Sequence, residues 1–136
     1  MYEFFEHTAD IGIRVRAATL EQLLAEAARG MFSLMVANLD AVQPVQEISL
    51  AVAAAEPDDL LRDWLSALLF SFDTRRIVLA EFHVQLHAGG LVATACGEPL
   101  DADRHQLAME VKAVTYHGLK VCREGDGWLA EVILDI

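Results

Sequence analysis

The sequence predicts an α+β fold: a single compact domain over residues 1–136, with two helices packed on a largely antiparallel sheet. Three observations carry this expectation. Two stretches place apolar residues at helical spacing, two early stretches alternate, and beyond Asp73 the chain reads as extended segments separated by glycine-marked turns. A length of 136 residues is one ordinary domain, and no repeat, low-complexity tract or linker divides it.

Taken in order, Ile11-Gly12-Ile13-Arg14-Val15-Arg16 alternates strictly, so Ile11, Ile13 and Val15 share the core face of a strand. Thr19 reads as a helix N-cap with Gln22 three residues on, a capping-box pattern. From Leu20, the positions Leu23, Leu24, Ala27, Ala28, Met31, Phe32 and Met35 mark one face of a helix that ends near Val36–Asn38. Glu47–Val52 alternates again, with Ile48, Leu50 and Val52 on one side. Pro57 followed by Asp58 and Asp59 suits a helix start, because proline lacks only an unneeded donor there and the acids meet the positive end of the dipole. Leu60, Leu61, Trp64, Leu65, Leu68, Leu69 and Phe72 then form the widest apolar stripe in the chain. Phe82, Val84 and Leu86 alternate with His83, Gln85 and His87, Gly89-Gly90 turns the chain into Leu91–Cys96, and Trp128–Leu134 reads as a final apolar strand.

Composition removes several classes of function. With 10 Lys+Arg against 21 Asp+Glu the net charge is −11, unsuited to a protein that holds nucleic acid alone, since that needs cations to displace counterions. A hydrophobic fraction of 54% supplies enough core to exclude disorder, yet no window of about 18 residues runs free of charge as a membrane span would. The start, Met1–His7, has no basic region before an apolar one and does not read as a secretory signal. Cys96 and Cys122 lie far apart in no C-x-x-C pattern and read as reduced thiols, a disulfide between them staying open. The expectation is a soluble, acidic, cytoplasmic domain.

Familiar catalytic fingerprints are absent: no G-x-G-x-x-G, no G-x-x-x-x-G-K-[ST], no H-E-x-x-H and no G-x-S-x-G. His83 and His87 stand about 13 Å apart along a strand, too far to share one metal, and read as a solvated face. More informative are polar groups in unexpected places. Glu6-His7-Thr8-Ala9-Asp10 precedes the first alternating strand, and Gly97-Glu98-Pro99-Leu100-Asp101 reads as a turn. Glu110–His117 reads as a charged, hydroxyl-rich alternating face within a sheet, and Asp135-Ile136 closes the chain. Spacing alone does not bring Asp10 and Asp135 together.

Taken together, Glu6-His7-Thr8-Ala9-Asp10, Thr19-Leu20-Glu21, Gly97-Glu98-Pro99, Glu110-Val111-Lys112-Ala113-Val114-Thr115-Tyr116-His117 and Asp135-Ile136 resemble the archease family, in the same order and over the whole chain. The resemblance implies an activator of an RtcB-type RNA ligase in tRNA splicing and RNA repair. Such an activator promotes guanylylation and multiple turnover of the ligase and performs no catalysis of its own. It also implies a compact α+β fold whose N- and C-termini meet at an acidic divalent-metal site. Carried over by position, the metal ligands would be Asp10, Asp135 and the carboxylate of Ile136. Glu6, Arg104 and Glu110 would belong to a functional acidic patch that contacts the partner, while Lys112, Thr115 and His117 are motif residues without an assigned role. Three carboxylates are hard oxygen donors, so calcium or magnesium would be preferred to zinc, and of the two the resemblance implies calcium first. The chain departs from the family pattern in carrying Ala17-Ala18 where relatives have a glycine and an acid, Glu6 for a usual Asp, and Arg104 for a usual Lys.

Two other classes of function compete with this one. A metal-dependent hydrolase would use Asp10 and Asp135 as ligands and Glu110 as general base, and would need a concave pocket beside the metal. A chaperone-like binding module would show exposed apolar surface.

Overall fold

The computed structural model of the chain describes residues 1–7 and 10–136, with only the backbone of His7. Thr8 and Ala9 of the His-Thr-Ala-Asp opening lie outside the described residues. In order, the elements are β1 (Tyr2–His7), β2 (Asp10–Ala17), α1 (Leu20–Met35), β3 (Gln46–Ala53), α2 (Pro57–Arg75), β4 (Ile77–His87), β5 (Gly90–Pro99), β6 (Ala113–Val114), β7 (Lys120–Glu124) and β8 (Gly127–Asp135). A single 3-10 turn, Leu39–Ala41, follows α1.

Both helices start and stop where their side chains dictate. The Thr19 hydroxyl accepts the Gln22 backbone N–H at 3.1 Å, satisfying one donor that the first turn of α1 leaves open. Replacing Thr19 with alanine should cost about 1 kcal/mol, read as a lower denaturant midpoint with an unchanged slope. Pro57 opens α2 with Asp58 and Asp59 in its first turn. Arg76 ends that helix at φ 53°, the left-handed conformation that usually calls for glycine, and its N–H reaches the Phe72 carbonyl at 3.0 Å.

The expected sheet is in fact two antiparallel sheets. In the first, β1, β2 and β8 pair in order, and the far edge of β8 is shared by β6 at its end and β7 at its beginning. In the second, β5 lies between β3 and β4. The two helices pack against both sheets. Helix α1 meets β2, β8 and β4, and α2 meets β3, β4, β6 and β7. A periodicity of two tells which residues share a face but not which strand is the neighbour, so the split was not readable from alternation.

The core is continuous between these layers. Trp64 of α2 is fully buried, and its indole N–H donates to the Leu24 carbonyl of α1 at 2.8 Å, which satisfies the one polar atom on a large apolar ring. Phe82 packs edge-on to Trp64 at 6.3 Å between centroids, and Phe32 lies 5.8 Å from Phe82 and 6.1 Å from Phe72.

The face of the first sheet turned away from the helices is charged and ordered. Register sets Glu3, Arg14, Glu131 and Lys120 in one row across β1, β2, β8 and β7. Arg14 contacts Glu131 at 2.6 Å and Glu3 at 3.2 Å, and Lys120 reaches Glu131 at 3.1 Å. Burial pushes the Glu131 carboxyl up, but hydrogen bonds from Lys120 and Arg14 outweigh it and hold the group below the usual carboxylate range. Phe5 lies across Gly12 on the same face, where a Cβ on Gly12 would run into its ring, and the Arg14 guanidinium sits 4.8 Å above that ring.

Three further expectations need correction. Gly97–Pro99 is the last part of β5 rather than a turn, and Glu98 is buried. Within Glu110–His117 only Ala113–Val114 is strand, and residues 100–112 form an irregular connection where extended structure was expected. This segment instead tends to the end of α1: the N–H groups of Ala108 and Met109 donate to the carbonyls of Met35 and Leu34 at 2.9 and 3.0 Å. Those are carbonyls that a helix end leaves without partners of its own.

Candidate functional site

Antiparallel pairing of β2 with β8 sets Asp10 directly opposite Asp135. Because Ile11, Ile13 and Val15 face the helices, Asp10 and its partner belong to the other face, with the terminal residue Ile136 immediately following. Directly opposed residues hold their Cβ atoms about 4.5–5.5 Å apart, so the two carboxylates are within reach of one small ion. The Lys112 N–H donates to the Asp135 carbonyl at 2.7 Å, and Ala113 lies opposite Asp135 on the far side of β8. The aspartate pair is therefore flanked by the Glu110–His117 motif through backbone contacts.

This arrangement refines the expectation that the termini meet. It is the hairpin end of β1 and β2 that reaches the C-terminus. Met1 bonds to Arg16 at the opposite end of β2, roughly 20 Å from Asp10 at the usual strand rise.

The remaining positions fall into different places. Glu6 pairs with Ile11, so it projects to the sheet face opposite that of Asp10, and it is exposed. Thr115 has a structural task. Its N–H and its hydroxyl both donate at 3.1 Å to the carbonyl of Ile133, a β8 residue between the stretches paired with β6 and β7. The same hydroxyl accepts the His117 N–H at 3.2 Å and closes the turn that Gly118 continues at φ 64°. Glu110 lines a cavity of about 280 Å³ with Phe72, Asp73, Arg76 and Met109, and neither Asp10 nor Asp135 is among its lining residues. The cavity that Glu110 lines is therefore not a concave pocket lined by the Asp10–Asp135 pair, which a hydrolase using Glu110 as base would need.

Arg104 joins a network that the sequence reading did not foresee. Glu98 Oε1 accepts from Arg104 at 2.7 Å and from His105 Nε2 at 2.6 Å, while His105 Nδ1 accepts the Asp101 N–H at 2.9 Å. An Nδ1 that accepts must be unprotonated, so the ring donates from Nε2 to the carboxylate. The bond from Arg104 lowers the Glu98 carboxyl most, burial works against it, and the bond from His105 lowers it further. Asn38 ties in the same loop, its amide donating to the Arg104 carbonyl at 2.9 Å and accepting the Gln106 N–H at 2.8 Å. The available signal was an acid inside a strand of small residues with Arg104 and His105 six and seven positions on.

The donor chemistry fits a hard divalent cation. Two opposed carboxylates repel unless a positive charge is shared between them. Among the described residues no third His, Cys, Asp or Glu side chain joins such a cluster, and Ile136, with its terminal carboxylate, follows Asp135 directly in the chain. Among the described residues no nucleophile stands out elsewhere. Burial, then the Glu47 and Glu81 carboxylates, push the Cys96 thiol up, away from the reactive thiolate. His83 and His87 are both exposed, and no helix is long and apolar enough to cross a membrane.

Comparison with known proteins agrees with this architecture. Residues 2–136 match the Archease protein family (MTH1598/TM1083). The chain is 42% identical to the protein archease of Methanopyrus kandleri over 139 residues, covering 99% of each chain. It is 36% identical to the archease of Thermococcus kodakarensis, covering 99% of this chain and 98% of that one. The solution structure of Methanobacterium thermoautotrophicum protein 1598 superposes with a TM-score of 0.88 at 34% identity, over 99% of this chain and 98% of the other. A Thermotoga maritima crystal structure described as an archease and possible chaperone shares the fold, with a TM-score of 0.68 at 23% identity over 100% and 98% of the two chains. With the family matched from the second residue to the last, the chain belongs to the archease family.

Proposed function

We propose that this chain is a protein activator of an RtcB-type RNA ligase in tRNA splicing and RNA repair, promoting guanylylation of the ligase without catalysis of its own. Asp10, Asp135 and the carboxylate of Ile136 hold a divalent cation, calcium by preference and magnesium after it. The observation that carries this reading is the cross-strand pairing of Asp10 with Asp135 beside the chain end and the Glu110–His117 motif. Such an ion supplies positive charge where nucleotidyl transfer develops negative charge. The residues of this chain fix its position: the register of β2 on β8 sets the spacing, and the Lys112 backbone bond holds Asp135 in place. A net charge of −11 favours encounter with the cationic surface of an RNA-handling enzyme rather than with RNA itself.

The test is guanylylation of the ligase from the same source, with the chain at substoichiometric concentration. Wild type should raise the rate over many turnovers, and Asp10→Asn and Asp135→Asn should each lose at least about tenfold of that stimulation, or ~1.4 kcal/mol. Calorimetric titration with calcium gives a readout independent of activity, and both variants should lose the binding isotherm. Unchanged stimulation by both variants would remove the metal from the mechanism.

A further inference from the structure

A strand at the edge of a sheet offers a row of backbone N–H and C=O groups to any other extended chain, and natural sheets obstruct such edges. On β4 the obstruction comes from α1: the Arg29 guanidinium donates to the Ala80 carbonyl at 2.6 Å, and Glu21 accepts the Leu86 N–H at 3.0 Å. On β7, Asp58 accepts the Val121 N–H at 2.6 Å, and β6 beside it is only two residues long. Strand β1 carries Glu3 and Glu6 within six residues. The exception is β3, eight residues with a single charge, Glu47, and neither lysine nor proline.

Register identifies the groups that β3 leaves open. The Ala54 N–H donates to the Gly89 carbonyl at 3.0 Å, one step beyond the Ala53–Gly90 pair, so the even-numbered residues of β3 bond to β5. The same alternation turns Leu86 outward on the far side of the sheet, where Glu21 takes its N–H. Glu47, Ser49, Ala51 and Ala53 therefore direct their N–H and C=O groups away from the sheet. All four are exposed, and among the described residues no group of this chain bonds to those N–H groups.

The strand is complementary to a second copy of itself. A two-fold axis normal to the sheet pairs odd-numbered residues with odd-numbered ones. Centred on Leu50, it sets Glu47 opposite Ala53, Ser49 opposite Ala51, Ile48 opposite Val52 and Leu50 opposite its own copy. Each acid then faces a small apolar residue, and the residues on the helix side meet apolar residues. Leu50 is half-buried and gains cover, and Val45, 67% exposed just before the strand, runs toward Ala53–Ala55 of the second copy. Centring on Ser49 instead would set Gln46 against Val52 on the apolar side, and centring on Ala51 would shorten the overlap.

We propose that β3 pairs antiparallel with β3 of a second copy about the Leu50 axis, joining two three-stranded sheets into one of six strands. The pairing adds about eight backbone hydrogen bonds. Each copy carries a net charge of −11, so the two repel at long range, and salt strengthens their association by screening that repulsion. A basic partner would show the opposite dependence.

The experiment is sedimentation velocity of the purified chain over a range of protein and salt concentrations. Wild type should form a dimer as its concentration rises, at lower concentration when salt is high. Ser49→Pro removes an outward N–H, and Ala51→Glu sets a carboxylate diagonal to Glu47 of the second copy; each should weaken the dimer at least about tenfold. Val92→Glu, at a position 43% exposed on the central strand β5, should change it less than about twofold. Thermal melting confirms that each variant is folded before it is compared. In a chain carrying Cys96→Ser and Cys122→Ser, Leu50→Cys should form an intermolecular disulfide under mild oxidation, and Ser49→Cys should not. A wild-type chain that stays monomeric throughout overturns the pairing, whether or not its edge takes a strand from another protein. A dimer that survives both edge variants, or is lost equally in Val92→Glu, overturns it as well. Cross-linking through Ser49→Cys in preference to Leu50→Cys overturns the register.

Discussion

Replacing Gly97 with alanine should destabilise the protein by on the order of 3–5 kcal/mol and lower its melting temperature by roughly 10–20 °C. The reason is crowding rather than backbone conformation. Gly97 lies in β5, the central strand of the second sheet, with Gln46 on one side and Leu79 on the other. A Cβ there would overlap the Val78 carbonyl oxygen and stand 2.8 Å from the Leu79 Cα, both fixed main-chain atoms. The neighbouring strand cannot yield cheaply, because the register between β4 and β5 already slips at Ala80 between Leu79 and Glu81. Relief would require opening the β4–β5 ladder where it carries Glu98, so the lesion would spread to the Arg104–His105 network. Denaturant unfolding is the direct check, and wild-type stability in Gly97→Ala would show that the strands can part locally at small cost.

What the sequence disclosed and what it hid follow from the range of the signals. Both helices were legible from local pattern: the Thr19 cap, Pro57 at the first turn, and apolar stripes that became Leu23 to Met35 and Leu60 to Leu69 of the core. The alternation of Ile11, Ile13 and Val15 was read with the correct face inward. Hidden was everything that depends on which strands are neighbours. Tyr2–His7 is an edge strand in which the adjacent Phe4 and Phe5 put apolar side chains on both faces, so β1 shows no clean alternation. The division into two sheets, and the pairing of Asp10 with Asp135 across 125 residues of chain, depend on contacts that no local pattern encodes. In the Gly97-Glu98-Pro99 motif, glycine and proline mimic turn chemistry. There the glycine is required by close strand approach, and the proline ends an already paired strand. His105 had no signal of its own, because a lone histidine in a polar loop looks the same whether it is exposed or, as here, 3% accessible.

Glu98→Ala should cost about 2–4 kcal/mol and change how stability depends on acidity. Glu98 is 7% accessible, and its carboxylate accepts from both Arg104 and His105. Its removal leaves the buried His105 Nε2–H without an acceptor, a penalty of roughly 1–3 kcal/mol, and also loses a charge-assisted bond from Arg104. The sign of the pH effect follows from the Glu98 carboxyl lying below its ordinary value of 4.5 in the folded protein. A depressed carboxyl contributes stability above the unfolded value and loses it as pH falls through the lower folded one. Wild type should therefore weaken as acidity increases below about pH 4.5, and Glu98→Ala should lose less over the same interval. Glu131 is also held low, so the variant should retain the part of the acid dependence that comes from the first sheet. Urea unfolding at steps between about pH 6 and pH 3 separates the two contributions, and parallel curves for wild type and variant would refute the assignment to Glu98. The damage should reach the metal-site end of the molecule as well. His105 and Asn38 anchor the connection that runs on through Met109 to Lys112, whose N–H holds the Asp135 carbonyl. Hydrogen exchange in residues 104–113 should accordingly rise in Glu98→Ala while α2 stays protected, because the network restrains the connection and the helix is held by its own buried face.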